Sequence, residues 1–180
     1  MKLLRLGLVG ADIAHSLSPA LHGHFLRQSG LAGSYTLLTA RVPRDAEHWI
    51  AAVRAGRLDG VNVTTPHKTL AANRVRTREA AVNTVWRTGS QLAACNTDGP
   101  GLLEAMGQTL AGLRVVVLGC GGAALACVPA LVAVGAAVTV VGRRDAQAAA
   151  FARENAVGHA AWKGANALSE ADVVVHLTRF

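Results

Sequence analysis

The sequence predicts an α/β fold in two parts, and three observations predict it. Val115 to Leu118 (VVVL) is a short, apolar, β-branched run of the kind buried on both faces of a parallel sheet. Gly119, Gly121 and Ala124 follow at the spacing G-x-G-x-x-A and open an Ala/Leu-rich helical stretch that leads to a second apolar strand, Ala137 to Val141. Ahead of this unit, short strand-like runs alternate with amphipathic helical segments through the first hundred residues, with no repeat and no low-complexity linker.

The glycine spacing has a physical reason. The first Gly makes a tight turn, the second lets a pyrophosphate approach the backbone, and the third small residue lets helix and strand pack closely. The helix N-terminus adds unpaired N–H groups and a partial positive charge. The segment therefore reads as a Rossmann-type dinucleotide-binding unit, with Gly119, Gly121, Gly122, Ala123 and Ala124 as the phosphate loop. At the end of the second strand, where a site for NAD carries an Asp or Glu for the ribose 2′-OH, the chain has Gly142, Arg143 and Arg144. A carboxylate there repels a 2′-phosphate, whereas a guanidinium grips it through two parallel hydrogen bonds. The expected cofactor is NADP. The competing reading makes Arg143 and Arg144 solvated loop charges in an arginine-rich chain.

Composition narrows the rest. A chain of 180 residues with 51% hydrophobic and 16% charged residues is globular, long enough for one domain or two small ones. No residue between Arg114 and Arg143 is charged, but Gly119, Gly121, Gly122, Pro129 and Gly135 break the run, so no membrane span is expected. Arg5 and Asp12 interrupt what would be a signal-peptide core, so none is expected either. Cys95, Cys120 and Cys127 are odd in number and lack metal spacing, which suits reduced thiols in a cytoplasm and no metal. The net charge of +7 raises nucleic acid as a partner. The basic residues are scattered and no stacking platform appears, so an anionic cofactor and a small anionic substrate explain the sign better. Of the 18 basic residues 15 are Arg, so a lysine at a chemically telling position stands out.

In order, residues 3–9 form a first strand. The stretch SLSP (16–19) opens a helix with Ser18 as N-cap and Pro19 at N1, and Gly30 stops it. Residues 35–40 make a second strand and 45–55 a second helix ended by Gly56. GVNVTTP (60–66) is a short strand running into a turn, and a short helical segment follows Lys68. AVNTVW (81–86) and LAACNTD (92–98) fold back on each other around Gly89 and Ser90. A helix over 99–110 leads into the dinucleotide unit, and after Arg144 come a helix over 146–154 and strands at 159–162 and 172–177. The domains are expected at 1–98 and 99–180.

Polar residues stand at the strand ends of the first domain: Ser16, Ser18, Asn62, Thr64, Lys68 and Asn83, with Asp98 at its close. Reducing a ketone leaves an oxygen that needs a proton. A lysine ammonium near a carboxylate can supply one, because desolvation and the carboxylate pull its pKa in opposite directions, whereas an arginine releases none at usable pH. Hydroxyls and amides are what a polyhydroxylated acid requires, since each buried substrate OH without a partner costs affinity. Local alternatives stay open for each residue: Ser18 and Asp98 as helix caps, Asn62 and Asn83 in turns, Lys68 on the surface. His22 and His24 face apart on a helix, His67 fills a turn, and Cys120 is a small packing residue.

In sequence, the motifs SLSP, NVTTPHK, AVNT, NTDGPG and GCGGA resemble the shikimate dehydrogenase family, across nearly the whole chain. The resemblance implies an N-terminal α/β substrate-binding domain, a Rossmann-type domain, and NADPH-dependent reduction of 3-dehydroshikimate to shikimate on the way to aromatic amino acids. It implies that Ser16 and Ser18 take the substrate carboxylate, that Asn62, Thr64 and Asn83 bond ring hydroxyls, that Lys68 and Asp98 are the catalytic pair, and that Arg143 belongs to the cofactor motif.

Three features depart from the family pattern. The segment from Lys68 to Asn83 is short, which would shift Asn83. Gln147 stands where a second basic residue is common, so Arg144 would substitute. After the last strand the sequence reads HLTRF in place of the family's N-A-T-P-type stretch, so the Rossmann-type domain is expected to be incomplete. An exposed edge at 172–177 would invite a second chain, and a homodimer through it is one hypothesis. The alternative to an enzyme is a shortened relative that binds a shikimate-like ligand or a nucleotide without turnover.

Overall fold

In a computed structural model, residues 3–163 and 166–178 are described. The chain divides into two compact units, Met1–Asn96 and Thr97–Phe180.

The first unit is built on a mixed five-stranded sheet. Its elements are β1 (Leu4–Gly10), α1 (Ser18–Gln28), β2 (Gly33–Thr39), α2 (Pro43–Arg54), β3 (Gly60–Val63), α3 (Lys68–Val75), β4 (Thr84–Thr88) and β5 (Gln91–Cys95). The strand order is β2-β1-β3-β4-β5, with β1 parallel to both neighbours and β4 and β5 an antiparallel hairpin. Gly89, at φ +61, supplies the left-handed residue that lets the hairpin close in two residues. Strand alternation decides the two faces. Val9, Leu38, Val61, Val63 and Val85 pack with Ala46, Ile50 and Val53 of α2 and Ala71 and Ala72 of α3 into one core. The opposite face carries Leu4, Leu6, Tyr35, Asn62, Thr84 and Trp86 along a hollow of about 300 Å³.

Helix starts differ from expectation by one or two residues, as α1 and α2 show. Helix α2 begins at Pro43, two residues early, because Asp45 accepts the backbone N–H groups of Arg41 (3.0 Å) and Val42 (3.2 Å) and satisfies donors of the first turn. Helix α1 begins at Ser18 itself, with Leu17 at the cap position and no side-chain cap bond.

The second unit holds α4 (Asp98–Met106), β6 (Arg114–Leu118), α5 (Ala124–Ala133), β7 (Ala137–Gly142), α6 (Asp145–Glu154), β8 (Gly158–Ala161), a short α7 (Asn166–Ser169) and β9 (Val173–His176). All described strand pairs are parallel, in the order β8-β7-β6-β9. Numbered within the unit this is 3-2-1-4, the order of the doubly wound nucleotide-binding sheet. Val115, Val117, Val128, Leu131, Val140 and Phe151 form its core. Helix α4 stops four residues short of the expected Leu110, because Gly107 takes a left-handed φ of +60 and ends it. Helix α4 also approaches α5 closely. A Cβ on Gly99 would stand 2.8 Å from the Ala126 carbonyl oxygen and 2.9 Å from Ala130 Cβ.

Among the described residues no helix is long and apolar enough to cross a membrane, and no cluster of three metal-ligating side chains occurs.

Candidate active site

The β1–α1 loop brings Ser16 and Ser18 together. The Ser16 backbone N–H bonds the Ile13 carbonyl at 2.9 Å, which closes a turn. Ser16 Oγ accepts the backbone N–H of Ser18 at 3.2 Å and lies 3.0 Å from Ser18 Oγ. The expectation that Ser18 caps α1 is therefore corrected. Its hydroxyl is engaged by Ser16 and by the phenol of Tyr35, while Ser16 serves the first N–H of the helix. Both serines line a hollow of about 370 Å³ with Asp12, His15 and Thr64.

Asn62 sits on β3 opposite Thr84 of β4. Its Oδ1 accepts the Tyr35 hydroxyl at 2.8 Å, and its Nδ2 donates to Thr84 Oγ1 at 3.1 Å and to the Asn83 carbonyl at 3.4 Å. Thr84 Oγ1 in turn donates to Asn83 Oδ1 at 3.0 Å. Burial pushes the Tyr35 phenol up to about 12, opposed by the Ser18 hydroxyl. The His22 ring stacks on it, centroids 4.1 Å apart and planes 2° from parallel, and burial lowers the His22 pKa.

The segment between Lys68 and Asn83 is tied at both ends by backbone hydrogen bonds. Arg76, at φ +61, ends α3 abruptly, and the chain returns so that the Val82 N–H bonds the Lys68 carbonyl at 3.1 Å. The Asn83 carbonyl then accepts the Val63 N–H at 2.7 Å, and the Asn83 N–H bonds the Cys95 carbonyl at 3.2 Å. Thr64 is held at the end of β3 by its N–H to the Val9 carbonyl, 2.8 Å. A cis Thr65–Pro66 bond follows, then His67, whose ring Nε2 meets the Ala40 carbonyl at 2.8 Å, then Lys68 as the first residue of α3. His67 does more than fill a turn, since it ties the end of β2 to the start of α3. Ser16, Ser18, Asn62, Thr64 and Asn83 thus stand at the loop and strand ends of one unit, and Lys68 follows on the same β3–α3 connection.

Asp98 belongs to the second unit, as the first residue of α4 after Thr97. In that unit the glycine loop leaves β6 as the spacing requires. Gly119 has φ +119, and a Cβ there would lie 3.0 Å from Thr178 Cγ2 and 3.1 Å from the Leu177 carbonyl oxygen, so only glycine fits. Around Gly121 nothing lies within 4 Å of where a Cβ would be, which leaves the backbone open to a ligand. Ala124 is fully buried and starts α5, preceded by Gly122 and by Ala123 at the cap position. Cys120 packs its sulfur toward Gly142. Arg143 and Arg144 are exposed directly after β7, and Asp145, the nearest carboxylate in sequence, pairs with His159 at 3.1 Å. A hollow of about 450 Å³ lies at the opposite, amino end of these strands, by Arg114, Ala137 and Gly158, and ligands of open parallel sheets bind at the carboxyl ends.

Tyr35 and Thr84 were not read as site residues from the sequence. The one available signal was a lone tyrosine on a short strand, which does not reveal a partner 27 residues away.

The second unit defines a class: a 3-2-1-4 parallel sheet with a glycine turn after its first strand is a dinucleotide-binding type of sheet, here preceded in sequence by a mixed α/β unit. A family model described as the shikimate dehydrogenase substrate binding domain matches residues 8–97. The chain is 39% identical to the NADP+ shikimate dehydrogenase of Acidiphilium cryptum, covering 96% of this chain and 66% of that one. It is 35% identical to that of Exiguobacterium sibiricum, covering 97% and 68%. The crystal structure of shikimate 5-dehydrogenase from Thermus thermophilus with NADP(H) and shikimate superposes with a TM-score of 0.84 at 36% identity, covering 98% of this chain and 69% of that one. The chain belongs to the shikimate dehydrogenase family, and it spans about two thirds of the length of these relatives.

Proposed function

We propose that this chain binds shikimate or 3-dehydroshikimate in its first unit and NADP in its second, and acts as an NADP-dependent shikimate dehydrogenase-type oxidoreductase. The observation that carries the reading is the hydrogen-bonded set within the first unit, Ser16 with Ser18 and Tyr35 through Asn62 and Thr84 to Asn83. Hydroxyl donors suit a carboxylate, and amides suit ring hydroxyls. The second unit fits the cofactor: the Gly119 turn, the open backbone at Gly121 and the exposed Arg143 and Arg144 match a pyrophosphate and a 2′-phosphate.

In this reading Gly119, Gly121, Gly122, Ala123 and Ala124 receive the pyrophosphate, and Arg143 and Arg144 the 2′-phosphate. The chemistry the dinucleotide supplies when bound is a hydride. Ser16 and Ser18 donate to the substrate carboxylate and set the orientation of the ring, while Asn62, Thr64 and Asn83 bond its hydroxyls. Lys68 Nζ, at the start of α3, delivers the proton that the reduced carbonyl oxygen needs, and Asp98, at the start of α4, is the second catalytic residue of this reading. A small anionic substrate and an anionic cofactor accord with the net charge of +7. The assignment to the cytoplasm rests on the small polar substrate class and on three cysteines, an odd number without metal spacing.

The deciding experiment is NADP+ reduction followed at 340 nm with shikimate, beside a Lys68→Ala control. Turnover that the control loses supports the reading. Folded protein that binds shikimate without turnover supports the non-catalytic binder, and absence of both activities refutes each.

A further inference from the structure

Asn62 carries an amide whose hydrogen-bonding capacity is almost fully used inside the protein. Both hydrogens of Nδ2 are engaged, one by Thr84 Oγ1 and one by the Asn83 carbonyl. Two acceptors on that side fix which end of the amide is nitrogen, because a flipped amide would set Oδ1 against a carbonyl oxygen. Oδ1 therefore faces Tyr35, whose hydroxyl fills one of its two lone pairs at 2.8 Å. What remains for a ligand is a single acceptor lone pair. A group that approaches Asn62 finds no donor and must itself donate.

The bonds run in one direction. Tyr35 donates to Asn62, Asn62 to Thr84, and Thr84 to Asn83 Oδ1. The row crosses from β2 over β1 to β3 and β4, on the face opposite the α2–α3 core. Tyr35 is held by the parallel stack of His22, so its hydroxyl has a defined direction.

We infer that Tyr35 is a positioning residue that holds Asn62 as a pure acceptor, so that this point of the site selects a ligand hydroxyl over an ether or a bare ring carbon. The inference rests on the proposed reading that the site takes a hydroxylated ring acid. Without the phenol hydroxyl, the Asn62 oxygen takes up water on the ligand side and discrimination falls.

The test measures calorimetric affinities of the full chain for shikimate and for cyclohexene-1-carboxylate, which keeps the carboxylate and lacks the ring hydroxyls. Tyr35→Phe should weaken shikimate by roughly three- to tenfold more than it weakens the hydroxyl-free acid, the size of one hydrogen bond, any loss shared by both acids reporting the Ser18 contact of the phenol. In an Asn62→Ala background the Tyr35→Phe change should leave the ratio of the two affinities unchanged, because Tyr35 sets hydroxyl selectivity through Asn62. Thr84→Val, which removes the Asn62 partner on the other side, should repeat the hydroxyl-selective loss and serves if Tyr35→Phe does not fold. Equal weakening of both ligands, independent effects of the Tyr35 and Asn62 changes, or unaltered shikimate affinity would overturn the inference while leaving the proposed function standing. Wild-type protein that binds neither acid would overturn both.

Discussion

The ring of His67, 2% exposed, lies with Nε2 2.8 Å from the Ala40 carbonyl oxygen. A carbonyl can only accept, so Nε2 carries the proton. The bond joins the residue after β2 to the residue before α3, and Lys68 is the next residue along. His67→Ala leaves that carbonyl without its donor and opens a void. The expected cost is about 1–3 kcal/mol, read as a lower urea midpoint with an unchanged slope. An unaltered midpoint would mean that the bond contributes nothing to the fold.

Tyr35 is the sole tyrosine of the chain, so its ionisation is visible by itself at 295 nm. The folded protein should show one transition near 12, and the urea-unfolded protein one near the ordinary value of about 10. The linkage has a definite sign. Between these values the unfolded chain releases the proton and the folded chain keeps it, so this contribution is fully present below about 10 and is lost as pH rises toward 12. A folded-state midpoint near 10, with secondary structure intact by circular dichroism, would contradict the burial assigned to the phenol.

Two glycines of α4 should respond in opposite ways to the same substitution. Gly99→Ala forces a methyl against the Ala126 carbonyl and Ala130 on α5, and should destabilise the protein by about 1–3 kcal/mol. Gly101→Ala meets nothing within 4 Å and should stabilise by about 0.5–1 kcal/mol through helix propensity. Thermal denaturation of the pair checks the α4–α5 contact, and equal shifts would refute it.

If Arg143 and Arg144 hold a 2′-phosphate, replacing both with alanine should weaken NADP+ by roughly 10- to 100-fold and leave NAD+ unchanged. Titration calorimetry with the two dinucleotides reads this directly. Parallel loss of both would assign the arginines to general structure.

Asp172 ties β9 to β6 through Arg114. Its Oδ2 accepts the Arg114 backbone N–H at 2.8 Å and Nε at 3.2 Å, and its Oδ1 accepts the second guanidinium nitrogen at 3.1 Å. Those bonds hold the carboxyl below its usual range. A depressed carboxylate stabilises above its unfolded value and loses that contribution as pH falls below it. Asp172→Asn should therefore lower the melting temperature at pH 7 and narrow the gap to wild type in acid. A gap independent of pH would show that the ion pair is not its source.

The nucleotide unit was legible because its signals are local. An uninterrupted β-branched run, a glycine forced to φ +119 and a small residue at the start of a helix carry their meaning within ten residues. The polar residues of the first unit were legible as types at strand ends. Local rules misled at the start of α1: Ser18 looked like a cap, yet it is the first helical residue and its hydroxyl meets that of Ser16 at 3.0 Å. The end of α4 was missed for a different reason, since Gly107 was a stop signal in plain sight. The sequence by itself determined which elements form and which chemical groups stand at their ends, because propensity, alternation and turn chemistry act between near neighbours. Only the tertiary structure decided that Tyr35, Asn62, Thr84 and Asn83 share one directed row of hydrogen bonds. That row depends on the register of β2, β3 and β4, which long-range packing sets.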